Sequence, residues 1–148
     1  MRTTIILLTI LYSQLSNSDE QYGPYRADII RVIDGDTVDV ELHVYPGQKN
    51  STRLRLAIID TPELKAKSTC ERKLAKEAKE FTTKFLTLGS AKVTIFGRGR
   101  YGRPLAKISI NGTDLGEELL KEGLARKYIS NKVDRKKWCK TPESGLPE

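Results

Sequence analysis

The chain has 148 residues, a formal net charge of +7, 38% hydrophobic residues and two cysteines. This length is typical of one domain, and the apolar content excludes a wholly disordered polymer. The low cysteine count excludes a disulfide-dense miniprotein, so we expect an ordinary hydrophobic core to stabilise the fold. The excess of positive charge indicates polyanionic partners, such as nucleic acid, acidic lipid or polyphosphate.

The N-terminus has the pattern of a signal peptide. Arg2 precedes an apolar run over residues 3–12, and the small residues Ser16 and Ser18 suit cleavage after Ser18. This run is shorter than the about 20 apolar residues that span a membrane. We therefore predict a signal peptide at residues 1–18 and an exported protein, periplasmic or secreted, with no stable membrane insertion after cleavage. An uncleaved anchor and a first buried strand are the alternatives.

The rest of the chain is predicted to form one domain at residues 27–139, between a short leader at 19–26 and a flexible tail at 140–148. β-branched and alternating segments predict five strands, and apolar residues at helical spacing predict two helices. The first helix follows the S-x-x-E capping pattern of Ser68 and Glu71. The predicted strands cover residues 27–33, 37–44, 52–59, 91–96 and 105–110, and the predicted helices cover 70–86 and 114–122. This order indicates a mainly β, α+β fold, a small antiparallel barrel with packed helices.

Acidic residues cluster at the ends of two predicted strands. Asp34 and Asp36 flank Gly35 after the first strand, and Asp60 and Glu63 follow the third. Taken singly, the first cluster is explained by a hairpin turn and the second by a strand exit. However, the ends of strands and their loops are also where functional sites form. Carboxylate and carbonyl oxygens from two such loops are suitable ligands for a hard divalent cation.

Arginines accompany these acidic clusters. Arg55 lies on the third predicted strand, five residues before Asp60 at its end, and alternation places their side chains on opposite faces unless the strand end twists or bulges. The loop at residues 97–103 alternates glycine with arginine, which suits close approach to phosphate oxygens, with a solvated hairpin tip as the alternative. His43 is the only histidine and the cysteines are far apart in sequence, which argues against a zinc enzyme.

Three segments together resemble the signature blocks of the staphylococcal nuclease (thermonuclease) family. They are VIDGDTV at residues 32–38, RLAIIDTPE at 55–63 and YGRPLA at 101–106, in the order that the family has. The likeness continues through EAKEF at 77–81 and GLAR at 123–126. It implies a five-stranded OB-fold barrel with two or three packed helices, and an enzyme that cleaves DNA and RNA with one Ca²⁺ ion.

The resemblance implies a set of metal ligands. Asp36 and Asp60 match the family's metal carboxylates, and Thr61 matches the residue that gives its backbone carbonyl to the ion. Asp34 matches an acidic neighbour of the metal site with a supporting role.

The resemblance also implies catalytic and substrate-binding residues. Arg55 and Arg103 match the two arginines that hold the scissile phosphate, and Glu63 matches the proposed general base. Substrate-binding positions are matched by Arg100, Tyr101 and Tyr128, the last within one residue of register.

The two cysteines, Cys70 and Cys139, are a candidate disulfide because export permits one, and two buried thiols are the alternative. The pair Trp138-Cys139 is similar to a tail of exported bacterial relatives, in which a cysteine early in the first helix accompanies it. The resemblance therefore favours the bridge.

The family likeness predicts a calcium-dependent endonuclease, a monomer with little sequence specificity, that leaves 3′-phosphate and 5′-hydroxyl ends on DNA and RNA. The alternative is a non-catalytic OB-fold module that binds nucleic acid, although such modules usually lack the acidic and arginine residues present here. A third reading, an exported protein that binds anionic envelope polymers or lipid, has no strongly basic amphipathic helix to support it.

Overall fold

The computed structural model describes residues 20–128 and 138–139. The predicted signal peptide at residues 1–18 and the predicted tail at 140–148 lie outside the described residues. Within the described part of the chain, no helix is both long enough and apolar enough to cross a membrane.

Within residues 20–128, the structure contains eight strands and two α-helices. The elements are β1 (Tyr22–Asp34), β2 (Thr37–Tyr45), β3 (Gln48–Leu56), β4 (Ile59–Asp60), α1 (Thr69–Leu86), β5 (Ala91–Arg98), β6 (Pro104–Ile110), β7 (Thr113–Asp114), α2 (Leu115–Lys121) and β8 (Arg126–Lys127). A short 3₁₀ turn covers Arg100–Gly102 between β5 and β6. The predicted α+β class with a mainly β content is confirmed.

Five long strands close into a barrel. They lie in the order β3-β2-β1-β5-β6 with antiparallel neighbours, and β6 returns to pair with β3. This closing pair is parallel and joins Arg55 to Leu105 and Leu56 to Ala106 in register. Closure leaves no open edge between β3 and β6, as expected of the OB-fold barrel that the sequence predicted.

Alternation along β2 separates the core from the surface. Val38, Val40 and Leu42 are buried, whereas the intervening side chains of β2 face outward. On the outer face Asp39 accepts hydrogen bonds from Arg53 at 2.6 and 3.0 Å and from Arg31 at 3.0 Å. These contacts tie together the three strands β1, β2 and β3.

Two strands differ from the prediction by several residues. β1 begins at Tyr22 rather than at residue 27, because the segment before Ala27 pairs with β5. β3 begins at Gln48 and ends at Leu56, so residues 57–58 interrupt what the sequence predicted as one strand to residue 59. The second difference determines the geometry of the site.

The helix α1 begins as its capping pattern predicts. The Ser68 hydroxyl accepts a hydrogen bond from the Glu71 N–H at 3.4 Å, and the buried face of the helix lies against the barrel. A disulfide joins Cys70, in the first turn of α1, to Cys139 with 6.3 Å between the Cα atoms. The bridge that the sequence favoured is therefore present.

Candidate active site

The turn between β1 and β2 is packed tightly against α1. A Cβ atom added to Gly35 would lie 2.8 Å from the Ala78 Cβ and 3.0 Å from the Thr61 Cγ2, so only glycine fits there without movement. The buried Thr82 hydroxyl of α1 donates a hydrogen bond to the Gly35 carbonyl at 2.8 Å. These contacts fix the backbone immediately before Asp36.

Asp36 is a buried carboxylate with several hydrogen-bond donors around it. Its Oδ1 accepts from Arg55 Nη1 at 2.7 Å and from the Thr37 hydroxyl at 2.9 Å, and its Oδ2 accepts from the Thr61 N–H at 3.2 Å. Only 3% of the residue is exposed. Burial raises the pKa of Asp36 to about 6, because desolvation outweighs the attraction of Arg55 and the nearby Asp34 adds repulsion.

Arg55 joins the two predicted metal carboxylates. Its Nη1 donates to Asp36 and its Nη2 donates to Asp60 Oδ1 at 2.9 Å. Burial disfavours its charge, but the carboxylates of Asp36 and Asp60 more than offset this and raise the pKa of Arg55. The guanidinium therefore stays protonated while it fixes both acids in place.

Strict alternation would place Arg55 and Asp60 on opposite faces, but the end of the strand is broken, which is the exception that the sequence analysis left open. Ile58 adopts a φ of 67°, a left-handed conformation that β-branched residues rarely take, and it separates β3 from β4. The chain then pairs with a different strand, β8, with Asp60 opposite Arg126. The break turns the Asp60 carboxylate back toward Arg55.

A surface pocket of about 300 Å³ brings the predicted catalytic and substrate-binding side chains together. The closing pair between β3 and β6 places the loop before β6 beside the end of β3, and the backbone N–H of Tyr128 donates to the Ile58 carbonyl at 2.7 Å. The predicted residues that line the pocket are Arg55, Glu63, Arg100, Tyr101, Arg103 and Tyr128. Asp36 and Asp60 adjoin it through their contacts with Arg55.

Glu63 is exposed at the pocket and its backbone is held by α1. The Glu63 N–H donates to Glu71 Oε1 at 3.4 Å. The sequence marked Glu71 only as part of a capping pattern with Ser68, so this contact was missed. The Glu63 side chain is exposed and lines the pocket.

Two further residues near Asp60 had no predicted role in the site. Arg126 Nη2 lies 3.5 Å from Asp60 Oδ2, and its guanidinium lies 4.2 Å from the centre of the Trp138 ring. Arg126 belongs to the GLAR segment at residues 123–126, to which the family resemblance assigned no functional role. Only the pairing of β4 with β8, which sequence periodicity does not show, reveals its position.

The donor set beside the pocket suits a hard divalent cation. Asp36 and Asp60 offer carboxylate oxygens on the same guanidinium, and Thr61 is buried next to Asp36. Asp34 uses its Oδ1 to accept the Asp36 N–H at 3.2 Å, which fits a supporting position. Among residues 20–128 and 138–139, no three acidic, histidine or cysteine side chains gather as a metal cluster. The predicted set differs from such a cluster, since it uses two carboxylates and a backbone carbonyl.

Comparison with known proteins places these observations in a family. The sequence model of the family described as "Staphylococcal nuclease homologue" matches residues 53–143, more than half of the chain. The chain is 39% identical over 114 residues to the thermonuclease of Staphylococcus hyicus, an alignment that covers 76% of this chain and 62% of that protein. It is 37% identical over 100 residues to endonuclease YncB of Bacillus subtilis (strain 168), covering 65% of this chain and 44% of that protein.

The chain thus spans between two fifths and two thirds of the length of these two relatives. The matched region contains the paired residues of β3 and β6 that close the barrel and all the pocket residues. The chain belongs to the staphylococcal nuclease family.

Proposed function

We propose that the protein is a calcium-dependent endonuclease that hydrolyses DNA and RNA with little sequence specificity. The observation that carries this proposal is the convergence of Arg55, Glu63 and Arg103 on one pocket, with Asp36 and Asp60 bound to the Arg55 guanidinium. Two arginines, two acids and an exposed carboxylate are a set that phosphodiester hydrolysis can use.

In this proposal, Arg55 and Arg103 bind the scissile phosphate. Arg55 approaches the pocket from β3 and Arg103 from the loop just before β6, and each presents planar guanidinium donors that match phosphate oxygens. Arg55 is already oriented by Asp36 and Asp60, so little ordering remains when a phosphate binds. Donors of fixed charge at this position stabilise the negative charge that grows in the transition state.

Glu63 is the proposed base. Its side chain is exposed and lines the same pocket as both arginines, so a water molecule between Glu63 and the phosphate has a carboxylate oxygen to take its proton. The leaving group in this proposal is the 5′-oxygen, and the products are a 3′-phosphate and a 5′-hydroxyl.

The proposed metal ligands are the carboxylates of Asp36 and Asp60 and the backbone carbonyl of Thr61. Ca²⁺ bound there would supply Lewis-acid neutralisation of a phosphate oxygen. Asp36 is held for this role by the turn at Gly35, and Asp60 by the pairing of β4 with β8.

The surface supports binding of a polyanion without base-specific contacts. The net charge of +7 favours nucleic acid, and Arg100, Tyr101 and Tyr128 line the pocket beside the phosphate-binding arginines. Tyr101 is 94% exposed, which suits stacking on a base. We also propose that the protein works as an exported monomer, a location with which the Cys70–Cys139 disulfide agrees.

The test is digestion of supercoiled plasmid and of RNA by protein that lacks residues 1–18, with Ca²⁺ or with EGTA. We expect degradation only with Ca²⁺, products with 3′-phosphate ends, and a loss of at least about 100-fold in rate for Glu63→Ala. Glu80→Gln, which changes an exposed acid of α1 outside the pocket, is the matched control and should keep the full rate.

Salt-sensitive binding of nucleic acid without cleavage, under every metal tested, would contradict the proposal. That result would favour a non-catalytic OB-fold module instead. Cleavage that Glu63→Ala leaves unchanged would show that another group activates the water.

A further inference from the structure

One end of the barrel holds a second cavity, of about 530 Å³. It is lined by the starts of β1, β3 and β6 and by the ends of β2 and β5, which strand pairing brings to the same end of the barrel. The helix α1 packs against the turn at Gly35, at the opposite ends of β1 and β2. In the described part of the chain, neither α1 nor α2 contributes a lining residue. We call this cavity the barrel mouth, and its volume is in the range of pockets that bind small ligands.

The barrel mouth and the active-site pocket lie on the two faces of the ribbon formed by β5 and β6. Arg98 and Pro104, which are paired in register, line the barrel mouth. Arg103 and Leu105, the residues on either side of Pro104, line the active-site pocket instead. Neighbouring residues of an extended chain alternate between faces, so this division follows from the strand geometry.

The tip of this ribbon, Arg100–Gly102, lies between the two cavities and carries exposed groups that suit a nucleic-acid strand. Tyr101 is 94% exposed. On the side of the barrel mouth, Arg98 Nη1 donates to the Gly102 carbonyl at 2.9 Å, which holds its guanidinium against the tip. Arginines therefore lie on both sides of the tip, and a flexible single strand bound at Arg103 can cross it to reach the mouth.

Three aromatic side chains line the barrel mouth. They are Tyr22, Tyr25 and Phe96, which we call the aromatic wall. Tyr22 and Phe96 are 46% and 36% exposed. The register between β5 and β6 shifts at Phe96, and this β-bulge explains why the consecutive residues Ile95 and Phe96 both line the cavity. Exposed aromatic rings stack on nucleobases of any sequence.

The charges favour a base inside the barrel mouth and a phosphate beside Arg98. Among the described residues that line the cavity, Arg98 is the one basic residue and Glu20 the one acidic residue. Hydrogen bonding to Glu20 raises the pKa of Tyr22, so this acid is engaged at the aromatic wall. Asn50 and Thr52 add neutral donors and acceptors that suit the edge of a base.

We propose that the barrel mouth is a second nucleotide subsite, which binds an unpaired base of the same DNA or RNA strand whose scissile phosphate lies at Arg55 and Arg103. The base stacks against the aromatic wall, Arg98 binds a neighbouring phosphate, and the strand crosses the ribbon tip. The inference rests on the proposed function for the position of the scissile phosphate. A base paired in a duplex is stacked inside the helix and does not reach the mouth.

The first test measures the binding of fluorescent oligothymidylates by anisotropy in EGTA, so that cleavage does not interfere. Tyr22→Ala should weaken binding of an eight-nucleotide strand at least about fivefold, the lower end of the loss for one base-stacking contact. The affinity for a dinucleotide should not change, because two nucleotides do not fill both cavities. An eight-base-pair duplex should also bind Tyr22→Ala and the unmodified protein equally well.

Two further variants separate stacking from damage to the fold. Tyr22→Phe keeps the ring and should bind the eight-nucleotide strand like the unmodified protein. Tyr45→Ala, which removes an exposed tyrosine at the end of β2 that does not line the mouth, is the matched control and should have little effect. Equal losses for the dinucleotide and the eight-nucleotide strand in Tyr22→Ala would mean that Tyr22 only supports the fold, and would overturn the proposal.

Arg98→Gln tests the phosphate contact through the salt dependence of binding. For the eight-nucleotide strand, the slope of log affinity against log salt concentration should become shallower by about 0.7, the value for one phosphate on a single strand. The control is Arg31→Gln, which removes an exposed arginine paired with Asp39 on the outer face of the sheet and should leave the slope unchanged. Equal slopes for the two variants would contradict a phosphate contact at Arg98.

Cleavage kinetics with Ca²⁺ distinguish this inference from the proposed function. Tyr22→Ala should raise KM for the eight-nucleotide strand by the factor seen in binding and leave kcat within about twofold. Unchanged KM and affinity would overturn the inference, even if the protein cleaves nucleic acid, and would point to a protein segment as the occupant of the mouth. The expected binding pattern without cleavage would overturn only the proposed function. A protein that binds no oligonucleotide would contradict both.

Discussion

At the residue scale, Ile58 has the largest effect on the site. Its φ of 67° ends β3, and the change of direction lets Arg55 contact Asp60 across residues that ordinary alternation would keep apart. The sequence does not predict this left-handed conformation, since a β-branched residue is among the least suited to it. The family resemblance therefore assigned Arg55 and Asp60 to one site, but no local sequence pattern predicted how their side chains meet.

Replacing Ile58 should relieve this strain. Asparagine tolerates the left-handed region, and Ile58 is 71% exposed, so Ile58→Asn removes little buried apolar surface. We expect the free energy of unfolding to rise by about 1 kcal/mol, measured by urea denaturation.

The control for this prediction is Ile30→Asn. Ile30 is also exposed, at 59%, but lies within β1 and has no positive φ. It should give no gain, because asparagine is disfavoured in strands. A loss of stability in Ile58→Asn as large as in Ile30→Asn would mean that the Ile58 conformation stores no strain.

At the element scale, the contact between α1 and the β1–β2 turn sets the position of Asp36. The capping residues and apolar spacing predicted α1 well, because these signals are local. The hydrogen bond from Thr82 to Gly35, 47 residues away, was not predictable, because Thr82 is one polar residue on the buried side of a helix pattern. The same limit hid Arg126, whose strand partner is set by long-range pairing.

Thr82→Val tests this contact. The substitution keeps the shape of the side chain but removes the hydroxyl, so the buried Gly35 carbonyl loses its donor. We expect the free energy of unfolding to fall by about 1–2 kcal/mol in urea denaturation. Thr83→Val is the control, since the exposed Thr83 hydroxyl bonds only within α1, to the Lys79 carbonyl. Equal effects of the two changes would contradict a special role for the turn.

The ion pairs across β1, β2 and β3 give the sheet a defined pH dependence. Hydrogen bonds from Arg53, followed by those from Arg31, lower the pKa of Asp39 to about 2, from an ordinary value near 3.8. A lowered pKa in the folded state stabilises the protein above pH 4, and this contribution disappears as the pH falls through 2. Asp39→Asn should therefore cost at most about 1 kcal/mol at pH 6, since the pair is partly exposed.

The measurement is urea denaturation of Asp39→Asn and of the unmodified protein between pH 7 and pH 2. The difference in unfolding free energy should stay constant down to about pH 4 and shrink toward pH 2. A difference that grows as the pH is lowered would contradict the assignment of the low pKa to Asp39.

At the scale of the whole molecule, closure of the barrel is what assembles the pocket. The parallel pair between β3 and β6 brings the loop that carries Arg103 beside Arg55, although the two arginines are 48 residues apart in sequence. The family resemblance predicted this juxtaposition, whereas composition and periodicity did not. Periodicity predicted the long strands, and composition showed the excess of positive charge. Neither could show which strands pair to close the barrel.

The central claim is that the pocket at Arg55, Glu63 and Arg103 hydrolyses phosphodiester bonds with Ca²⁺. The most direct measurement is the cleavage rate of a fluorescent single-stranded oligonucleotide with Ca²⁺ by the unmodified protein, Arg103→Lys and Arg53→Lys. Lysine keeps the charge but loses the planar guanidinium, so we expect Arg103→Lys to be about 10³-fold slower. Arg53→Lys, on the outer face of β3, should keep its rate within a few-fold. An inactive unmodified protein, or equal rates for the two variants, would contradict the account.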